Sequence, residues 1–281
     1  MKKTILLGIV ALLSACSSDD DSVNSQLSIV NSTEVTITFS PFEMSSMDTR
    51  ATTSIATIVT HLDVWLYESG SEFTAVHQSS SDDGFGSLSV TLDKTKTYTI
   101  YAVGHKATAA ATLADGVISF PDDKVTHSMY YTTTFSPSET TSLSCLMNRI
   151  VAQFSFNTSD AVPAEATKIT LTINDVYDRW NVTSGATHQL DRTSTFQNFG
   201  VHNDGSVTFN IYAIVTNAQT LHTVTVTAFD DNEDVIQTRT FTDVPLRNGY
   251  KTTYLGAFFT NTPVTATFTI GDWNEYDVVN F

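Results

Sequence analysis

Cysteine is nearly absent from this chain of 281 residues: it has two, Cys16 and Cys145. Cys16 lies in the leader described below and is expected to carry a lipid, which leaves Cys145 alone. No intrachain disulfide can then form even in an oxidising compartment, and stability has to come from packing and strand pairing. Cys145 stands between Leu143 and Leu146 and reads as a small buried hydrophobe rather than a reactive thiol. Basic residues are also scarce, with 14 Lys and Arg against 30 Asp and Glu, a net charge of -16. Phosphate backbones would be repelled by such a chain, so nucleic acid is excluded as a partner.

Long apolar runs are missing too. The one candidate, Ile5 to Leu13, is interrupted by Gly8 and is too short to span a bilayer. It follows Lys2 and Lys3 and precedes Leu13-Ser14-Ala15-Cys16, the order of a secretory signal with a small-residue cleavage site. The Cys after Leu-Ser-Ala resembles a bacterial lipobox, which implies a signal peptide over 1–15, lipidation of Cys16 and a mature chain that begins there. Loss of Lys2 and Lys3 takes the net charge to -18, 12 basic against 30 acidic residues. Acyl chains contribute about 0.8 kcal/mol per buried methylene, enough for two or three of them to anchor a protein. Residues 16–32 form a polar tether, and Ser17-Ser18-Asp19-Asp20-Asp21 resembles the acidic signal that sends lipoproteins of the Bacteroidota to the outer face of the outer membrane.

Catalytic and metal-binding signatures are wanting as well. There is no Gly-x-Ser-x-Gly elbow, phosphate-cradling Gly loop or dinucleotide fingerprint. The seven His (61, 77, 105, 127, 188, 202 and 222) show neither His-x-His nor His-Glu-x-x-His spacing. Asp230, Asn232 and Asp234 imitate the start of a calcium loop but lack its Gly and its distant Glu, and read as an acidic hairpin turn. No enzyme, no metal and no cofactor are expected. Trp65, Trp180 and Trp273, with ten Tyr, could stack on sugars, although aromatics in β-sandwiches are mostly core.

What the chain has in quantity is Thr and Ser alternating with apolar residues, the pattern of half-buried strands, so an all-β protein is expected. Val35, Ile37 and Phe39 mark a first strand, after which a Ser, Thr and Met-rich connection carries Arg50, the only Lys or Arg between Lys3 and Lys94. Strands follow over 59–67, 73–78, 88–92, 98–103, 117–120 and 125–134, with Leu62, Val64, Leu66, Ile100 and Ala102 on one inward face. Trp65 must be either exposed or covering the other face. The stretch 105–114 is a loop or the chain's one short helix. Ser136-Pro137-Ser138 is the best boundary, dividing the chain into 33–137 and 138–281. The second part reopens with a long strand over 142–156, with Leu146, Ile150, Ala152, Phe154 and Phe156 along it, and continues over 168–174, 207–215, 224–229, 235–241, 250–260, 264–270 and 276–281. Two sets of about seven strands predict two β-sandwiches in tandem, with one large sandwich as the alternative.

Val244-Pro245-Leu246-Arg247-Asn248-Gly249-Tyr250-Lys251-Thr252-Thr253-Tyr254-Leu255-Gly256-Ala257-Phe258 resembles a segment of the Bacteroidales fimbrillins, the subunits of type V pili, and of their anchor and accessory relatives. Asn148 to Phe154, Leu62 to Tyr67 and Tyr98 to Val103 are similar to further strands of that family. The Gly between Asn248 and Tyr250 departs from the pattern of many fimbrillins, which have Asn-Tyr directly.

The resemblance implies two transthyretin-like sandwiches and a place at the cell outer membrane or in the fimbrium. It implies other fimbrial subunits as partners, in a homo- or hetero-polymer, together with host or bacterial surface ligands. It also implies a mechanism: cleavage between Arg50 and Ala51, displacement of the first strand with Val35, Ile37 and Phe39, and donation of a C-terminal strand from the next subunit. Here that donor would carry Val264, Ala266, Phe268 and Ile270. Stalk, tip and anchor roles remain open. The alternative is a monomeric surface glycan- or peptide-binding lipoprotein.

Overall fold

A computed structural model describes residues 31–42, 54–202, 204–260 and 267–272. Cys16, Arg50, Ala51, Val264, Ala266 and Trp273 lie outside them. The described chain is almost all strand. Two 3₁₀ turns, Ile55–Thr57 and Pro121–Asp123, are its only helical elements.

Nine strands come from residues 32–149: β1 (Ser32–Pro41), β2 (His61–Glu68), β3 (Ser71–Ser79), β4 (Ser87–Asp93), β5 (Tyr98–His105), β6 (Thr112–Ala114), β7 (Val117–Ser119), β8 (Met129–Phe135) and β9 (Ser142–Arg149). Seven of them run in the order β3-β2-β5-β8-β9-β1-β4. β8 and β9 pair only at Met129↔Arg149 and Tyr130↔Asn148. The sheet folds at that short contact, so that β3-β2-β5-β8 faces β9-β1-β4 across one core. Alternation in each strand supplies that core: Val35 and Ile37 from β1, Leu62, Val64 and Leu66 from β2, Ile100 and Ala102 from β5, Cys145 and Met147 from β9, all fully buried. The inward face expected for β2 and β5 is therefore present.

The second half contributes β10 (Ala152–Thr158), β11 (Lys168–Asn181), β12 (Gly185–Gln197), β13 (Thr208–Ala213), β14 (Thr220–Phe229), β15 (Val235–Leu246), β16 (Tyr250–Gly256) and β17 (Thr267–Asp272). One sheet runs β13-β10-β16-β17 and the other β15-β14-β11-β7-β6, with β12 also on β11. Their shared core holds Phe154, Phe156, Leu171, Val226, Tyr254 and Phe258.

The halves are stitched together. The β6–β7 hairpin, though it lies in the first half of the chain, joins the second half's sheet through Trp180↔Ile118 on β11. A third cluster forms there from Trp65, Val103, Ile118, Tyr130, Ile150, Val151, Trp180 and Ile214. Trp65, 3% exposed, covers the outer face of its sheet. At about 1.5–3 kcal/mol per large apolar side chain, this cluster holds the two halves firmly together.

Several elements differ from expectation. The long strand over 142–156 is two strands in different sheets, β9 and β10, separated at Ile150-Val151. Leu146 consequently points out, 46% exposed, while its neighbours Cys145 and Met147 point in. β12 has no counterpart in the alternation, because its exposed and half-buried positions carry Thr, Gln and Arg. Of the loop or short helix expected over 105–114, the structure has the loop, over 106–111, and adds the short strand β6 after it.

Candidate functional site

β1 occupies a slot rather than an edge. It pairs antiparallel with β4, from Ser32↔Asp93 to Thr38↔Ser87, and parallel with β9, from Thr36↔Ser142 to Pro41↔Met147. Among the described residues β1 is the only strand that β4 pairs with. Withdrawing β1 would open a groove with unpaired backbone groups on both rims and an apolar floor. Val35, Ile37 and Phe39, exposed by only 0%, 0% and 6%, fill that floor now. At roughly 1.5–3 kcal/mol each they contribute several kcal/mol, on top of two hydrogen-bond ladders.

Cys145 lies opposite Phe39 in the β1–β9 register. Burial pushes its thiol up to about 12, with the Tyr131 hydroxyl pulling weakly the other way. The thiol is therefore protonated and shielded while β1 is in place.

The candidate donor is described only over 267–272. There β17 pairs with β16 alone, Phe268 opposite Tyr254 and Ile270 opposite Thr252, at the edge of its sheet. The chain that leads toward it is clamped by Asp160, whose carboxylate accepts from the backbone N–H groups of Phe258, Phe259 and Thr260 at 2.7–2.8 Å. Arg239 adds a bond from Nε to the Phe258 carbonyl at 3.0 Å. Sequence reasoning missed this clamp, because Asp160 is 98 residues from Phe258.

A second carboxylate, this one fully buried, also escaped it. Asp63 accepts from a ring nitrogen of His77 and one of His105, both at 2.8 Å, and from the Ala111 amide at 2.8 Å. His105 Nδ1 accepts from Ala107 N–H, which leaves Nε2–H to donate to Asp63. With three donors on one carboxylate, Asp63 ties β2, β3, β5 and the loop before β6 together as a structural clamp. Its place opposite His77 in the β2–β3 register was the only signal available.

The acidic turn 230–234 behaves as a hairpin turn should: Asp230 Oδ1 accepts from the N–H groups of Asn232 and Asp234 at 2.9 Å. Asn248-Gly249 makes a tight turn closed by Tyr250 N–H to the Arg247 carbonyl at 3.1 Å, with the positive φ at Gly249 alone. It joins β15 to β16, strands of different sheets, and is a corner rather than a hairpin. Asn248 pins that corner by bonding both ways to the Val215 backbone.

No family model matches the sequence, and no curated protein matches it. Solved structures do. A candidate adhesin from Bacteroides ovatus superposes with a TM-score of 0.56 at 14% identity, over 86% of this chain and 95% of that one. The fimbrial anchor protein Mfa2 from Porphyromonas gingivalis gives 0.51 at 13% identity, over 85% and 97% of the two chains. A candidate polysaccharide-binding protein from Bacteroides thetaiotaomicron gives 0.53 at 8%, over 86% and 99%. The chain therefore has the fimbrillin-type fold of these Bacteroidales adhesion and fimbrial anchor proteins.

Proposed function

We propose that this chain is a non-enzymatic structural subunit of a surface fimbria, exported as a lipoprotein on Cys16 and assembled by β-strand donation after cleavage at Arg50. The observation that carries the reading is the seat of β1, an interior strand at the start of the described chain whose loss would leave β4 without a partner strand. A strand from another subunit could restore both ladders and refill the floor, the physics of β-augmentation. The fold shared with a fimbrial anchor and with candidate adhesins supports the same reading.

The test is treatment of purified precursor with an Arg-specific protease, followed by sizing and electron microscopy. Fibres whose subunits begin at Ala51, and which Arg50→Ala abolishes, are expected for a stalk or tip subunit. A chain that is cut there and stays monomeric under assembly conditions refutes polymerisation. Retention of lipidated Cys16 on the working protein would mark an anchor.

A further inference from the structure

Between the two halves, beneath the 247–250 corner, lies a cleft of about 540 Å³, within the roughly 300–1,000 Å³ typical of small-molecule sites. β8 and β9 form one wall, and the end of β11 and the corner form the other. Its chemistry is specific in three respects.

The walls are aromatic. Tyr130 and Trp180 meet across the halves with ring centroids 5.6 Å apart, and Tyr250 lies under the Arg247 guanidinium at 4.3 Å. Trp180 is 8% exposed, yet its Nε1–H has no hydrogen-bond partner among the described residues. Buried donors are rarely left so. Tyr130, by contrast, has its hydroxyl committed to the Val182 carbonyl.

The charge is of one sign. Arg149 and Arg247 line the cleft and no Asp or Glu does, on a chain of net charge -16. Arg149 donates through Nε to His127 at 3.0 Å. Burial first, then Arg149 and Lys106, hold His127 well below the ordinary histidine range, so it accepts as a neutral ring.

The rim offers amides. Asn148 and Asn217 are exposed there, while Asn248 is spent on the Val215 backbone and keeps the corner rigid.

We infer that this cleft binds an anionic saccharide, a sugar bearing a carboxylate. The carboxylate pairs with Arg247, whose planar fork matches it. An apolar C–H face of the sugar ring packs on the aromatic wall. The rim amides meet the sugar hydroxyls. The inference does not depend on strand donation, because every lining residue but Phe42 lies beyond Arg50. Phe42 is held by its N–H to the Met147 carbonyl at 2.8 Å and would leave with the cut segment.

The test is calorimetric titration of the uncut full chain with sialyllactose and with a galacturonic acid trimer, against lactose and a neutral galactose trimer, supported by an array of acidic and neutral glycans. At least one acidic saccharide binds, and its neutral counterpart is weaker by about tenfold or more, the effect of one charge-assisted hydrogen bond. Arg247→Gln, at an exposed position, weakens binding by a similar factor with the unfolding midpoint retained. Lys94→Ala, which removes a distant exposed charge, leaves it unchanged. The inference is overturned if no acidic saccharide binds, if neutral sugars bind equally, if Arg247→Gln has no effect, or if the cleft takes a carboxylate-ended peptide in place of any sugar.

Discussion

If β1 is a separable strand, Cys145 should report its departure. Ile37 is fully buried in β1 and packs in the first core, so Ile37→Ala is expected to cost about 2–5 kcal/mol. The cost falls on the state in which β1 is seated. Cys145, opposite Phe39 and 0% exposed, becomes reachable only when β1 swings away. Its labelling rate by a thiol reagent, in a chain carrying Cys16→Ser, should then rise with the population of the opened state. At 1.4 kcal/mol per tenfold, the expected acceleration is roughly 30-fold to several thousand-fold. Ile173→Ala, in the second core, is the control. It should lower global stability comparably and leave the labelling rate nearly unchanged while global unfolding stays rare. Equal acceleration by both variants would mean that Cys145 opens only through global unfolding, and the separable-strand reasoning would fail.

Three further outcomes are expected. Because burial raises the Cys145 thiol to about 12, the folded state holds that proton more tightly than the unfolded one. Its contribution is complete below the ordinary thiol range and is lost as pH rises toward 12; part of the fall in the urea midpoint between pH 8 and pH 10 should vanish in Cys145→Ala. Asp160→Ala leaves three backbone N–H groups without their acceptor and should cost about 1–3 kcal/mol, with faster amide exchange at Phe258 to Thr260. Gly249→Ala meets no steric obstacle but keeps φ at +80°, so a loss of about 1–2 kcal/mol in chemical unfolding is expected; no loss would mean the corner relaxes.

Strand alternation made the cores legible. Leu62, Val64, Leu66, Ile100 and Ala102 read as one inward face because period two leaves no other choice once one face is buried. Trp65, left open between exposure and a second buried face, proved to belong to the cluster between the halves. What alternation could not show was anything assembled across sheets. β12 has few core positions to betray it, and it gains its place by pairing along β11. The division of 142–156 between two sheets turns on Ile150 and Val151, both buried and both apolar, so the pattern runs through the break unmarked. Arg247 and Trp180 are 67 residues apart and share a cleft only because β11 and the 247–250 corner converge on the same joint. Likewise, the sequence spacing of His61, His77 and His105 concealed that two of them bond to Asp63.

Strand donation between subunits is tested most directly by a cross-link. Chains carrying Cys16→Ser and either Phe268→Cys or Ile270→Cys keep Cys145 on the floor of the β1 slot, and after cleavage and assembly they are oxidised mildly. A ladder of disulfide-linked multimers on a non-reducing gel, absent from uncut chain and from assemblies that also carry Cys145→Ala, is the predicted result. Fibres that form from cut chain yet give no such ladder with either substitution would contradict a C-terminal strand in the place of β1.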